Sequence, residues 1–286
     1  MDALLHPAQR RARLTGKAYD SPMSMDATTF AANDLAGTWW QRILGGFSHS
    51  PAPVVTGTEL LLIIAVAVAL SLPRVSWRYF GLLATVTHEL GHAFAALMTG
   101  QRLGGIRLSL DHSGTTTSYS RRPLAAVWST FWGYPVPAVV GAAMVWSGFN
   151  GWGPAAMSVG TLLLLVSFLF LRNGIGVLIT AAAVLGAALL VLFVPAEFIG
   201  HVMIGLGIAL LVAAVRDLGK LAAVHSRHRN RLSTSDAYLL SRATRVPAVF
   251  WIVLFAAVVA ASWWFAWQPM AQVFATLRQG PGPFPA

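Results

Sequence analysis

Seven long apolar runs alternate with polar breaks along the chain, at about 56–72, 77–98, 124–147, 155–171, 174–194, 198–215 and 247–267. Each approaches the ~20 residues that an α-helix needs to cross a bilayer. The pattern therefore predicts an all-α polytopic membrane protein with about 6–7 transmembrane helices, the short Arg172-Asn173 break making the fourth and fifth runs the doubtful pair to separate. One polar stretch departs from the helical rhythm. Ile106-Arg107-Leu108-Ser109-Leu110, then Asp111-His112-Ser113-Gly114, then Thr115-Thr116-Thr117-Ser118-Tyr119 reads as strand, turn, strand. His112 and Asp111 are read as turn residues.

The flanks differ from the body. Residues 1–54 mix Pro, Gly and Ser with scattered charges and read as a cytoplasmic, largely disordered tail. Within it, Trp39-Trp40-Gln41-Arg42-Ile43-Leu44 could lie along the membrane interface. A transmembrane domain over 55–267 follows, with a basic cytoplasmic loop at 216–246, and then a C-terminal tail over 268–286. With the N-terminus inside and seven crossings, Lys and Arg divide 17 inside to 3 outside. That bias predicts an N-in, C-out protein of the cytoplasmic membrane, with the hairpin on the cytoplasmic side.

Composition agrees: 56% of the 286 residues are hydrophobic and 10% charged. There is no cysteine, so disulfides and thiolate metal sites are excluded and any metal must use His, Asp or Glu. The net charge of +10 fits basic loops against anionic lipid, not nucleic acid.

Candidate chemistry sits in the second run, as His88-Glu89-Leu90-Gly91-His92. On a helix, i and i+4 share a face, so both imidazoles can reach one metal ion, with Glu89 beside them as general base toward water. Chance puts H-E-x-x-H in roughly two of a thousand such chains. Ionisable residues in a membrane helix are costly and mark function. Counted back from Met98, His88 and His92 lie roughly 15 and 9 Å below the inner end of the run. Gly91 leaves room for a neighbouring helix. The prolines of Gly133-Tyr134-Pro135-Val136-Pro137 break the third run, as a cavity wall or a packing kink.

Zinc held by two His needs a third protein ligand and leaves a fourth position for water. Asp217 and Asp236 are both on the correct side, and spacing does not separate them. Glu59 and Glu197 stand outside any suitable motif. His225 and His228 fall in a basic stretch read as a solvated loop facing lipid.

HELGH in a membrane helix, followed by Thr-Gly, a Gly-Thr-Thr-Thr-Ser hairpin and a Gly-Tyr-x-x-Pro-Ala span, resembles the M50 metallopeptidases, the site-2-protease-like intramembrane zinc proteases. More narrowly it is similar to their M50B-like group, over roughly residues 77–265. The resemblance implies Zn2+ on His88 and His92, Glu89 as general base, and a membrane-embedded protein substrate. The run Ser235-Asp236-Ala237…Leu240…Thr244…Pro247…Trp251 is also similar to that group and favours Asp236 over Asp217. The Asn-x-x-Pro segment leading to Asp-Gly of other site-2 proteases has no counterpart here. The expected activity is zinc-dependent intramembrane endopeptidase. Its rivals are a non-proteolytic membrane scaffold and a solute or metal transporter using the same residues.

Overall fold

Thr56 opens the first helix with a reciprocal cap. Its amide donates to Glu59 Oε2 (2.8 Å), while the Glu59 amide donates to Thr56 Oγ1 (3.3 Å). Two of the four orphan amides at a helix start are thereby satisfied. Glu59 is thus a capping residue. The structure, a computed structural model, describes residues 45–227 and 235–279, within a unit spanning Ile43–Ala286. The interfacial piece expected at 39–44, the tail before it and His228 lie outside the described residues.

Helix α1 (Gly57–Ser71) ends before Pro73, which has no amide to continue the ladder. Helix α2 (Arg74–Met98) then leaves at 89°. The bend is held by Arg216, whose Nη1 donates to the free carbonyls of Ser71 and Leu72, both at 2.8 Å. The same guanidinium lies 4.1 Å from the Trp77 ring centre, and Lys220 Nζ 4.5 Å.

The hairpin forms as β1 (Arg102–Leu108) and β2 (Gly114–Tyr119), antiparallel, with Ile106 opposite Thr116 and Leu108 opposite Gly114. Its first strand starts four residues earlier than the sequence pattern suggests. The turn is built as expected: Asp111 Oδ1 accepts from the Ser113 amide (3.0 Å) and hydroxyl (2.6 Å), bonds that hold its carboxyl below the usual range. His112 takes a positive φ of 65° and sets its Nε2 3.2 Å from the Trp77 carbonyl, docking the turn on α2.

The second face of β1 is also occupied. The Ile106 amide donates to Phe170 O (2.8 Å) and the Arg172 amide to Ile106 O (2.9 Å). The Asn173 side chain then mimics a strand, accepting from the Leu108 amide (3.2 Å) and donating to its carbonyl (2.7 Å). The Arg172-Asn173 break is therefore a helix boundary zipped onto the hairpin.

The run predicted at 124–147 is two helices, α3 (Pro123–Phe131) and α4 (Pro135–Phe149). Pro135 has no amide to donate into a continuing ladder, so the first helix ends and the chain turns through Trp132–Tyr134, with Tyr134 itself keeping helical backbone. Helices α5 (Gly153–Ser167), α6 (Gly174–Phe193), α7 (Ala196–Arg227), α8 (Asp236–Thr244) and α9 (Ala248–Gln279) follow. Helix α7 continues well past the predicted limit of 215. Helix α9 carries Pro269 within it and enters the stretch read as a tail.

Helix α7 is central: 61% of its most apolar window is buried, against 17% for α6 and α9. Small residues let α4 approach it closely. A Cβ on Gly141 would stand 2.6 Å from the Gly207 carbonyl, and one on Gly148 2.6 Å from the Gly200 carbonyl, so the two helices run antiparallel. In lipid, where apolar surface alone does not drive helices together, such close backbone packing does. Leu60, Ala67, Val145, Ile204 and Leu211 fill the core between α1, α4 and α7 with no exposed surface.

Helix α1 lies along α7 in the same direction. Pro53 stands against Gly200 and Ile63 against Gly205; Ser71 Oγ reaches Ala209 O (3.1 Å), and Arg216 reaches Leu72. The seven-crossing count makes these helices antiparallel, and the structure corrects it. An apolar run that turns 89° does not return along its predecessor, so charge counts that assume a crossing per run go astray. Helices α6, α7 and α9 are long and apolar enough to cross a membrane, with α1 and α2 together as a possible fourth, bent, span; α4 and α5 are shorter apolar helices. Length and composition thus support three spans, or four with the bent pair, and do not confirm the expected six to seven.

Candidate metal centre

Periodicity places His88 and His92 on one face of α2, and the structure turns both Nε2 atoms to a common point, 3.1 Å apart. The rings meet edge to face, with centres 4.8 Å apart. His92 Nδ1 is 2.8 Å from the Ser129 carbonyl, which can only accept. The ring proton therefore sits on Nδ1, and Nε2 presents a lone pair. Gly133 makes the space: a Cβ there would run into both imidazoles. Gly91, between the two histidines, lets α2 press against the Trp132 carbonyl and Val136 on either side of Gly133.

Asp236, nearly 150 residues along the chain from His88, completes the group. Its Oδ2 is 3.4 Å from His88 Nε2 and 3.3 Å from His92 Nε2. It is the first residue of α8, which is anchored by Leu240 and Phe255 against Leu221, Phe131 and Tyr134. Ser235, just before it, has its Oγ 2.8 Å from His225 Nε2. His225, expected in a solvated loop, instead ties the end of α7 to the start of α8. Asp217 takes no part: it pairs with Lys220 at 2.7 Å, both half-exposed.

The donors fit a metal ion. Asp236 Oδ2 is buried without a hydrogen-bond partner, and the Nε2 atoms of His88 and His92 face it at 3.4 and 3.3 Å. Unpaired acceptors in so small a buried space are costly. A tetrahedral ion with bonds of about 2.0–2.1 Å holds its donors about 3.3–3.4 Å apart, close to the 3.1, 3.3 and 3.4 Å seen here. Two His and a carboxylate also match a catalytic zinc site with one open position. Among the described residues, His88, His92 and Asp236 are the group able to hold a metal.

Glu89 lies beside this group, 4% exposed. Thr116 Oγ1 donates to its Oε2 at 2.6 Å, and Gly114 passes so close that a Cβ would collide with the carboxyl group. Tyr134 meets the His88 ring edge-on, with centres 4.9 Å apart, and stacks on Phe255 at 5.4 Å. Sequence reasoning left the Gly133-Tyr134 break as either a cavity wall or a packing kink, and it missed the roles of Ser129, Thr116 and Gly114. A carbonyl acceptor leaves no mark in a sequence. The run Gly114-Thr115-Thr116 was visible only as a turn and strand.

Helices long and apolar enough to cross a bilayer define a multi-pass membrane protein. The family model described as Peptidase M50B-like matches residues 61–266, well over half of the chain. The chain belongs to that family, and is an M50, site-2-protease-like metallopeptidase. The match begins within α1, ahead of the region that the sequence motifs cover. No curated protein and no solved structure matched.

Proposed function

We propose that this chain is a zinc-dependent intramembrane endopeptidase of the bacterial cytoplasmic membrane. The observation that carries the reading is the convergence of His88 Nε2, His92 Nε2 and Asp236 Oδ2, with an unpaired buried oxygen among them and Glu89 alongside. A zinc ion held there would polarise the scissile carbonyl and make water a better nucleophile. Glu89 takes the proton of the attacking water and passes it to the leaving amide nitrogen. Ser129 keeps His92 in the tautomer that presents Nε2.

The substrate is a membrane-embedded protein that must unwind before its peptide bond can be reached. With the outer side of β1 taken by residues 170–173, the open edge of the sheet is that of β2. An extended segment adds there as a third strand.

Purified full-length protein with zinc should cut a reporter built as one Ala/Leu helix of about 20 residues, the length of a span, interrupted by Gly-Ser. Chelation should stop cleavage and zinc restore it. Stoichiometric zinc without cleavage would leave a scaffold as the better reading.

The helix directions also revise the topology. One face gathers Ser50 against Gly151, Gly153 against Gly200 and Pro53 against Gly200. The other gathers the α1–α2 bend and the end of α7. We infer crossings by α1, α4, α5, α6, α7 and α9, with α2 laid across the inner side. The seven Lys and Arg of 216–245 then face the cytoplasm, and residues 45–56 the opposite side. The chain has no cysteine, so single cysteines report cleanly. In intact cells an impermeant maleimide should label Ser48→Cys and spare Ser226→Cys; protection of both would restore the N-in arrangement, and the reverse pattern would invert the one inferred here.

A further inference from the structure

We propose that Thr116 is a positioning residue for the general base, and that β2 exists in its present sequence to carry it. This rests on the endopeptidase reading above. The strand alternates half-buried and exposed positions, so Gly114, Thr116 and Ser118 share one face, turned toward α2. A strand packed on a helix normally fills that face with apolar residues. Here it carries a glycine and two hydroxyls, and each has a polar task. Ser118 Oγ donates to Gln101 Oε1 (3.0 Å), whose amide donates to the Ala125 carbonyl (2.7 Å), tying β2 to α3. Thr116 Oγ1 donates to Glu89 Oε2 (2.6 Å) and lies 3.1 Å from the Glu89 carbonyl. Gly114 leaves the space in which the carboxyl group rests.

The chemistry follows from the geometry. A glutamate has three side-chain torsions, and one bond to Oε2 removes most of that freedom. A charge-assisted bond of this length is a strong one. With Oε2 committed to Thr116, Oε1 is the oxygen left to take a proton. Opposite Thr116 in β1 stands Ile106, 2% exposed and bonded on its far side to Phe170 and Arg172. Thr116 is therefore fixed through the sheet to the α5–α6 connection, not floating on a free hairpin. A peptide docking along the open edge of β2 would lie on the strand that aims the base.

The test uses the full-length protein in detergent micelles with zinc and the Ala/Leu reporter, comparing Thr116→Val and Thr116→Ser. Valine keeps shape and burial but donates nothing; serine keeps the donor. The valine variant should lose kcat by about tenfold to a hundredfold, as for other groups that orient a catalytic residue, with KM and zinc content unchanged. Serine should recover most of the loss. In metal-free protein, the Glu89 carboxylate stretch, isolated as wild type minus Glu89→Gln in infrared difference spectra, should shift with valine and not with serine. Unchanged kcat in the valine variant, an equal loss in both variants, a change confined to KM or zinc content, or an unmoved carboxylate band would each overturn the proposal. A wild-type chain that cleaves nothing with zinc would defeat the endopeptidase reading itself. A cleaving wild type with an unaffected valine variant would defeat this inference alone.

Discussion

Replacing Glu89 with Gln should lower reporter cleavage by about a hundredfold to ten-thousandfold, the usual contribution of a positioned acid–base group, while zinc stays bound. The substitution is nearly isosteric. Its amide oxygen can still accept from Thr116, so the 2.6 Å contact and the packing over Gly114 survive. What disappears is the capacity to take a proton at neutral pH. Glu89 is also absent from the converging donor group, so metal content, measured by elemental analysis of the purified protein, should stay at the wild-type value. Turnover equal to wild type would remove Glu89 from the mechanism. Loss of zinc would make it a structural partner of the site.

The second large effect separates the two aspartates. Asp236→Ala should weaken zinc binding by more than the ten- to hundredfold typical of groups that merely orient a ligand, because it takes away one of three donor atoms. Asp217→Asn should bind zinc as wild type does, since that side chain is engaged with Lys220 at the surface. Competition against a fluorescent zinc chelator measures both. If Asp217→Asn loses the metal and Asp236→Ala keeps it, the site described here is wrong. Thermal unfolding of metal-free Asp236→Ala serves as the control for folding.

Much of the site was legible in the sequence because it is local. Two His four residues apart on a helix share a face whatever the tertiary structure, and an adjacent Glu cannot be far away. The hairpin was legible for the same reason: its turn is written in Asp111, Ser113 and Gly114. The third donor was not local. Asp217 and Asp236 sit in similar polar surroundings, and only the packing of Leu240 and Phe255 against α3 and α7 brings one of them to the histidines. Resemblance to the family favoured Asp236 where spacing could not.

The membrane topology was the least legible part. Hydropathy reports where a helix is apolar but not which way it points. Pro73 and Pro135 each redirect a run that composition alone treats as continuous. The donors that hold the α1–α2 bend come from Arg216, over 140 residues later in the sequence. No window of local residues contains that information.

The pair of hydrogen bonds from Arg216 Nη1 to the Ser71 and Leu72 carbonyls has one further consequence. Both ends of it belong to long helices, and α7 also carries, through His225 and Ser235, the short helix that delivers Asp236. The arm that bears the lone carboxylate is thus hinged on the same rod that braces the corner from which the histidine helix departs. Both halves of the donor group therefore share one support: α7 holds Asp236 through Ser235 and the root of the histidine helix through Arg216.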